Sequence, residues 1–289
     1  GDLSPFHFTF PRGSKDDTSQ YRSRICAAIS TIINRALEEG TMPAIGAESK
    51  VIWLLKLARG QVGADLAAES SYRPITMGRA LSKIMGLALL DRITHWVRTH
   101  SIVSTSAQGA FTATLGGSYH VWALSESIRF YWRNGKLVYV VFFDLVRAYS
   151  EVDIDFLFEL LKARGLAHNV INLFRSWALQ RRSRVSVNGF LSEAFRTING
   201  IGQGETPAPT FFNIFMDPLV EMLKDAGLNA TIRPAGVGIE IALFADDIAE
   251  PSLSYAGIKA ATEVTQRWAK LCGMEINTKP GKSEAVLFA

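Results

Sequence analysis

Cysteine is nearly absent: among 289 residues there are two, Cys26 and Cys272. They lie far apart without metal-ligand spacing, which excludes a disulfide framework and a cysteine zinc site. The five histidines, His7, His95, His100, His120 and His168, show no paired spacing and no nucleophile partner, so none is assigned chemistry. No apolar run reaches the roughly 18 residues of a membrane span. The nearest, "LVYVVFFDLV", is interrupted by Asp144. A signal peptide, internal repeats and low-complexity tracts are also lacking. Charged residues are only 20% and hydrophobic ones 48%, which excludes disorder and is ample for one large domain or two ordinary ones. The net charge of +4 mildly favours a polyanionic partner. A first residue of Gly rather than Met reads as a piece excised from a longer polypeptide.

What is present is patterned. "YRSRICAAISTIINRALEEG" predicts a helix with Ile25, Ile29, Ile32 and Ala36 on one face and Gly40 just past its end. "SKVIWLLKLA" predicts a strand, followed by a loop reaching "SSYRPITMG". Helices are expected at "RALSKIMGLALLDRITHWVRTH", "DIDFLFELLKARGL", "NVINLFRSWALQRR" and "TFFNIFMDPLVEMLKDAG". A last one, "YAGIKAATEVTQRWAKLCG", carries Ile258, Ala261, Val264, Trp268 and Leu271 on one face. "KLVYVVFFD" is rich in β-formers, and Asn188-Gly189 within "SRVSVNGFLSEAF" is a hairpin signal. The sum reads as α+β, with helices against one face of a partly antiparallel sheet.

"GIEIALFADDIAE" alternates Ile239, Ile241 and Leu243 and then sets Asp246 beside Asp247. A hairpin tip often takes an Asp for its tolerance of unusual backbone angles, so this pair alone says little. Asp144 changes the weighing, because it closes the apolar run "VYVVFF", where an unpaired charge is costly. Two neighbouring strands ending in Asp would bring like charges together. That arrangement suits a divalent metal, for which carboxylates are the preferred ligands of Mg²⁺. Two such ions about 4 Å apart stabilise the attacking and leaving oxygens of a phosphoryl displacement. "RSWALQRRSR" sets Arg175, Arg181, Arg182 and Arg184 near one another as a phosphate-contacting patch, although a solvated helix face gives the same pattern.

"FADD" and "FFDLVRAY" resemble the two aspartate boxes of reverse transcriptases. "NGIGQGETPAPTFFNIFMDPL" and "SSYRPITMGRALSKIMGLALLDRI" resemble further blocks of the family, as do "NRALEEGTMP", "AQGAF", "RVSVNG" and "GMEINTKPGKSEAVLF", all in the family's order. The particular likeness, from near Gln20 onward, is to the enzymes of non-LTR (LINE-type) retrotransposons. It implies an α+β right-hand polymerase palm, an antiparallel sheet backed by helices, with a mainly helical fingers region. A lead-in over 1–20, fingers with part of the palm over 21–135 and palm over 136–289 are expected. The thumb is expected to be absent, since the chain stops at "AVLFA".

The same resemblance implies residue roles. Asp144, Asp246 and Asp247 would hold two Mg²⁺ ions, with Mn²⁺ as the alternative. Lys282, with Lys279 nearby, would protonate departing pyrophosphate. Tyr149 would lie under the sugar of the incoming dNTP and reject a 2′-hydroxyl. Gln203 and Gly204 would line nucleotide and template, and Arg73 and Lys56 would grip the triphosphate. Arg181, Arg182 and Arg184, from the basic spacing of "RSWALQRRSR" rather than from the resemblance, would contact nucleic acid. The implied activity is RNA-directed DNA polymerisation, extending a primer 3′-hydroxyl by two-metal nucleotidyl transfer within a retrotransposon polyprotein. The alternative is a catalytically silent nucleic-acid-binding relic. Partners would be an RNA template, a DNA primer and the rest of the parent polypeptide, for which a thumb is expected and an endonuclease is possible; no membrane is expected. Nuclear action follows from the likeness alone. Four positions depart from the pattern: Ser150 stands where Asp is common, Phe244 replaces a tyrosine, and Glu205-Thr206 adds a negative charge after Gln203-Gly204.

Overall fold

A computed structural model describes residues 17–56, 68, 71–111, 116–187, 189–228 and 241–289. Two compact units emerge, each assembled from two stretches of chain: Gly1–Thr94 with Phe158–Ala208, and His95–Leu157 with Pro209–Ala289.

In the first unit, helix α1 (Asp17–Glu39) packs on α6 (His168–Gln180). Its buried stripe is Ile33, Ala36 and Leu37, one step on from the predicted face, while Ile25 and Ile32 are exposed. The helix stops as expected at Gly40, whose φ of 61° lets the Thr41 N–H turn back to the Ala36 carbonyl at 3.0 Å. Strands β1 (Glu48–Leu55), β2 (Tyr72–Gly78), β4 (Arg182–Val187), β5 (Phe190–Leu191) and β6 (Phe195–Arg196) form one sheet. Its order is β2-β1-β4-β5, with β6 also on β4. β1 runs antiparallel to β2 and parallel to β4. "YRPITMG", where the expected loop ends, is a strand, and an edge contact between the Trp53 and Tyr72 rings (6.2 Å) supports it. Asn188 lies outside the described residues, but β4 and β5 on either side pair antiparallel, as its hairpin signal requires.

The second unit holds a sheet ordered β7-β8-β3-β9, antiparallel throughout. Its strands are β3 (Val138–Phe143), β7 (Ala242–Phe244), β8 (Asp247–Ser252) and β9 (Glu284–Phe288). Of the alternating run, Ile241 and Leu243 are buried, and Ile239 lies outside the described residues. Helix α3 (Gly116–Arg133), not anticipated from the sequence, lays Ala123, Leu124 and Tyr131 on Val138, Val140, Ala242 and Ala249. Helix α8 (Tyr255–Leu271) covers the other face, where Thr265 meets Glu250, the residue after Ala249. Helices thus clothe both faces of this sheet rather than the predicted one. The buried stripe of α8 is Ile258, Ala261, Thr265 and Trp268, continuing to Cys272, whereas Leu271 is exposed. On α7 (Ala208–Asp225), Phe212 and Phe215 are fully buried, and the Phe215 ring meets Trp268 at 6.2 Å. Each such side chain contributes about 1.5–3 kcal/mol by leaving water. No helix among the described residues is long and apolar enough to cross a membrane.

Candidate active site

The acidic residues collect at one end of the second sheet. β3 and β8 are adjacent, and their ladder closes on the pair Phe143–Ile248. One step further in that register, Asp144 stands opposite Asp247. The Asp247 carboxyl is pushed above its ordinary range, first by loss of water around it and then by the charge of Asp144, with Lys282 opposing. The register thus brings the Asp144 and Asp247 carboxyls to the same end of the sheet. Asp246 sits at the β7–β8 turn, after Ala245 with its left-handed φ of 56°. Its charge, second to burial, pushes the Tyr149 hydroxyl up to about 12. Tyr149, on the short helix α4 (Ala148–Glu151), lies flat on Phe212, ring centres 4.6 Å apart and planes within 10°. Ser150, at the position where Asp was expected, is exposed and closes the α4 turn through its N–H on the Arg147 carbonyl at 2.8 Å.

Two amides missed in the sequence hold this end of the sheet. Asn277 donates from Nδ2 to Asp144 Oδ2 at 2.7 Å, and its own N–H donates to the Asp144 carbonyl at 2.8 Å. Ser283 Oγ accepts from the Asp144 N–H at 3.1 Å. The loop so formed brings Lys282 Nζ to 3.4 Å from Asp144 Oδ2. Gln108, buried at 1% exposure, accepts on Oε1 from the Ala245 N–H (3.1 Å) and the Ala110 N–H (2.9 Å). Its neighbour Gly109 donates to the Leu243 carbonyl at 2.9 Å, so the "AQGAF" segment splints the acidic hairpin. Neither Gln108 nor Asn277 lies in a local pattern that announces such a role; only their place in family-like blocks could have drawn attention to them.

The donor chemistry fits a hard divalent cation: oxygen ligands from paired carboxylates whose mutual repulsion a metal would relieve. Among the described residues, no group of three His, Cys, Asp or Glu side chains is arranged to enclose an ion. The fit thus rests on the Asp144–Asp247 pair, with Asp246 next in the chain.

The other predicted residues belong to the first unit. Arg73 is exposed on β2, opposite Leu54, and Lys56 is exposed just past β1, its N–H on the Ser71 carbonyl at 2.8 Å. The Gln203 carbonyl accepts from the Thr76 N–H at 2.7 Å, which docks the 203–204 turn onto the outer edge of β2. Gly204 has φ 105°, and a Cβ there would come within 2.8 Å of the Thr76 carbonyl oxygen. Gly204→Ala is accordingly expected to lower stability by about 1–3 kcal/mol in urea unfolding. An unchanged midpoint would show that the turn is not held this tightly.

Arg182 and Arg184 point outward from β4, Arg182 paired across the ladder with Arg196 and Arg184 with Lys50. Arg181 corrects the prediction of a three-arginine surface patch. It is only 4% exposed, because α6 ends at Gln180 and the strand alternation that follows turns 181 and 183 inward and 182 and 184 outward. Its guanidinium meets Glu205 Oε2 at 3.4 Å and the Gly200 carbonyl at 2.9 Å. Glu205, which looked like a stray charge near nucleotide, is thereby neutralised internally.

These sheets and their helices form a right-hand polymerase fold. An apo telomerase from Candida Tropicalis, truncated from its C-terminal domain, aligns with a TM-score of 0.61 over 92% of this chain and 56% of its own, at 12% identity. A telomerase from Candida albicans gives 0.58 over 91% and 46%. The family model for reverse transcriptase (RNA-dependent DNA polymerase) matches residues 63–287, and the chain belongs to that family. Among curated relatives, the RNA-directed DNA polymerase from mobile element jockey of Drosophila melanogaster is 24% identical over 90% of this chain and 28% of its own length. The Pol polyprotein from type-2 retrotransposable element R2DM of the same fly is 21% identical over 71% and 19%. The likeness to LINE-type enzymes expected from the motifs is borne out, and the chain spans well under half of these relatives' length.

Proposed function

We propose that this chain carries the catalytic portion of an RNA-directed DNA polymerase encoded by a LINE-type retrotransposon, its second unit acting as palm and its first as fingers. The observation that carries the reading is the like-charged pair Asp144–Asp247 at the end of adjacent strands in a reverse transcriptase chain. Asp144, Asp246 and Asp247 would hold two magnesium ions, with manganese as the substitute, and bound metal would supply charge neutralisation at the transferring phosphoryl group. Lys282 would hand a proton to the leaving pyrophosphate, a role that its ion pair with Asp144 at 3.4 Å supports. Arg73, Lys56, Gln203 and Gly204 bind and orient the dNTP, and Arg182 and Arg184 meet the backbone of an RNA template annealed to a DNA primer. Catalysis on this reading is positioning and electrostatics, with no covalent enzyme intermediate.

The test is primer extension on an annealed RNA template with dNTPs and Mg²⁺, comparing the protein with Asp246→Asn. Extension that depends on Asp246 supports the polymerase. Salt-sensitive RNA binding by both proteins, with extension by neither, supports the silent relic instead. Tyr149→Ala tests the sugar gate: incorporation of ribonucleotides should rise relative to deoxynucleotides. The Tyr149 ring is fixed against Phe212, so its removal leaves room where a 2′-hydroxyl would otherwise clash. Unchanged sugar preference would remove Tyr149 from that role.

A further inference from the structure

Arg181 sits where three stretches of one loop meet. Its Nη2 donates to the Gly200 carbonyl at 2.9 Å and to the Asn199 carbonyl at 3.4 Å, and its Nη1 donates to Glu205 Oε2 at 3.4 Å. The Glu205 side chain is 11% exposed, and its backbone N–H closes the turn on the Gly202 carbonyl at 2.9 Å. Burial pushes the Glu205 carboxyl up, opposed by the charge of Arg181 and by hydrogen bonds from Gly202 and Arg181. Between the two anchor points lie Gln203 and Gly204. The Gln203 carbonyl in turn holds the Thr76 N–H of β2, three residues along from Arg73.

A buried ion pair of this kind adds little net stability, since an apolar pair of similar volume often does as well. What an apolar pair lacks is the planar fork that ties two carbonyls and a carboxylate to one point. We infer that the Arg181–Glu205 pair is a positioning element for nucleotide binding. It fixes the Gln203–Gly204 turn and, through Thr76, the strand that carries Arg73. The inference rests on the polymerase reading and adds two positioning residues to it. It also gives a purpose to the acidic residue after Gln203-Gly204.

The experiment compares the wild-type protein with the double variant Arg181→Met/Glu205→Leu, in which neither partner is left buried and unpaired. Three quantities are read: the thermal unfolding transition, amide hydrogen exchange at Thr76, and KM and kcat for dNTP in primer extension. The double variant should unfold cooperatively and exchange the Thr76 amide faster. Its KM for dNTP should rise roughly ten- to hundredfold with kcat much less affected. A purely structural pair would not split KM from kcat in this way. Native-like KM and native-like Thr76 protection in the folded double variant would overturn the inference. Where that variant does not unfold cooperatively, Arg181→Lys replaces it with the same readouts, because it keeps the charge and loses the fork. A wild-type protein that extends no primer would sink the polymerase reading and with it any role in nucleotide binding. Unchanged Thr76 exchange in a folded variant would sink the tether alone.

Discussion

Primer extension by the Asp246→Asn protein is expected to fall by about a thousandfold or more while the fold stays intact. The turn that presents Asp246 is held from outside the side chain. The Ala245 N–H is bound by Gln108, and Gly109 is laced to Leu243. Asparagine keeps the shape of aspartate and tolerates turn geometry equally well, so these bonds survive the substitution. What is lost is one negative charge from a site whose carboxylates already repel. The unfolding midpoint should therefore hold steady or rise, as extension collapses. Extension near the wild-type rate would exclude Asp246 from the chemistry. A loss of activity accompanied by an equal loss of stability would mean that its role is architectural.

Glu250→Gln should raise stability at pH 8 by about 3 kcal/mol and leave it nearly unchanged at pH 4. Glu250 is 1% exposed on β8, donated to by Thr265 Oγ1, and its Oε2 has no hydrogen-bond partner among the described residues. Burial pushes its carboxyl up to about 7, with the Thr265 hydrogen bond opposing only in part. The folded protein then holds this proton more firmly than the unfolded chain, where the group has its ordinary value of 4.5. Between those limits the native state binds more protons. Stability is thus complete below the unfolded value and declines as pH rises through about 7. Glutamine keeps the neutral form at every pH and still accepts from Thr265. Urea unfolding of both proteins from pH 4 to 8 checks this, and parallel profiles would refute it.

The acidic site was legible because charge at the end of an apolar strand is conspicuous: Asp144 after "VYVVFF" and Asp246-Asp247 after Leu243-Phe244 need no tertiary knowledge. The hairpin around Asn188-Gly189 and the stop at Gly40 were legible for a similar reason, since both depend on local backbone preference. Arg181 was misread because its direction depends on where α6 ends. One residue decides whether a side chain faces solvent or the interior when a helix passes into a strand. The stripes of α1 and α8 were displaced in the same way, by neighbours that only packing reveals. Helix α3 escaped notice because Val121, Trp122 and Trp132 are exposed, which blurs its apolar face. Gln108 and Asn277 are ordinary amides in sequence and acquire meaning only through the distant backbone that they hold.

The order of synthesis gives the sheet of the second unit a late start. β3 lies in the middle of the sheet, yet both its neighbours, β8 and β9, come from much farther along the chain. Ser283, which receives the Asp144 amide, follows it by 139 positions. A nascent chain therefore carries "VYVVFF" without a neighbouring strand until β8, and then β9, have been made. Such a segment, apolar and rich in β-formers, is prone to aggregate while it waits unpaired.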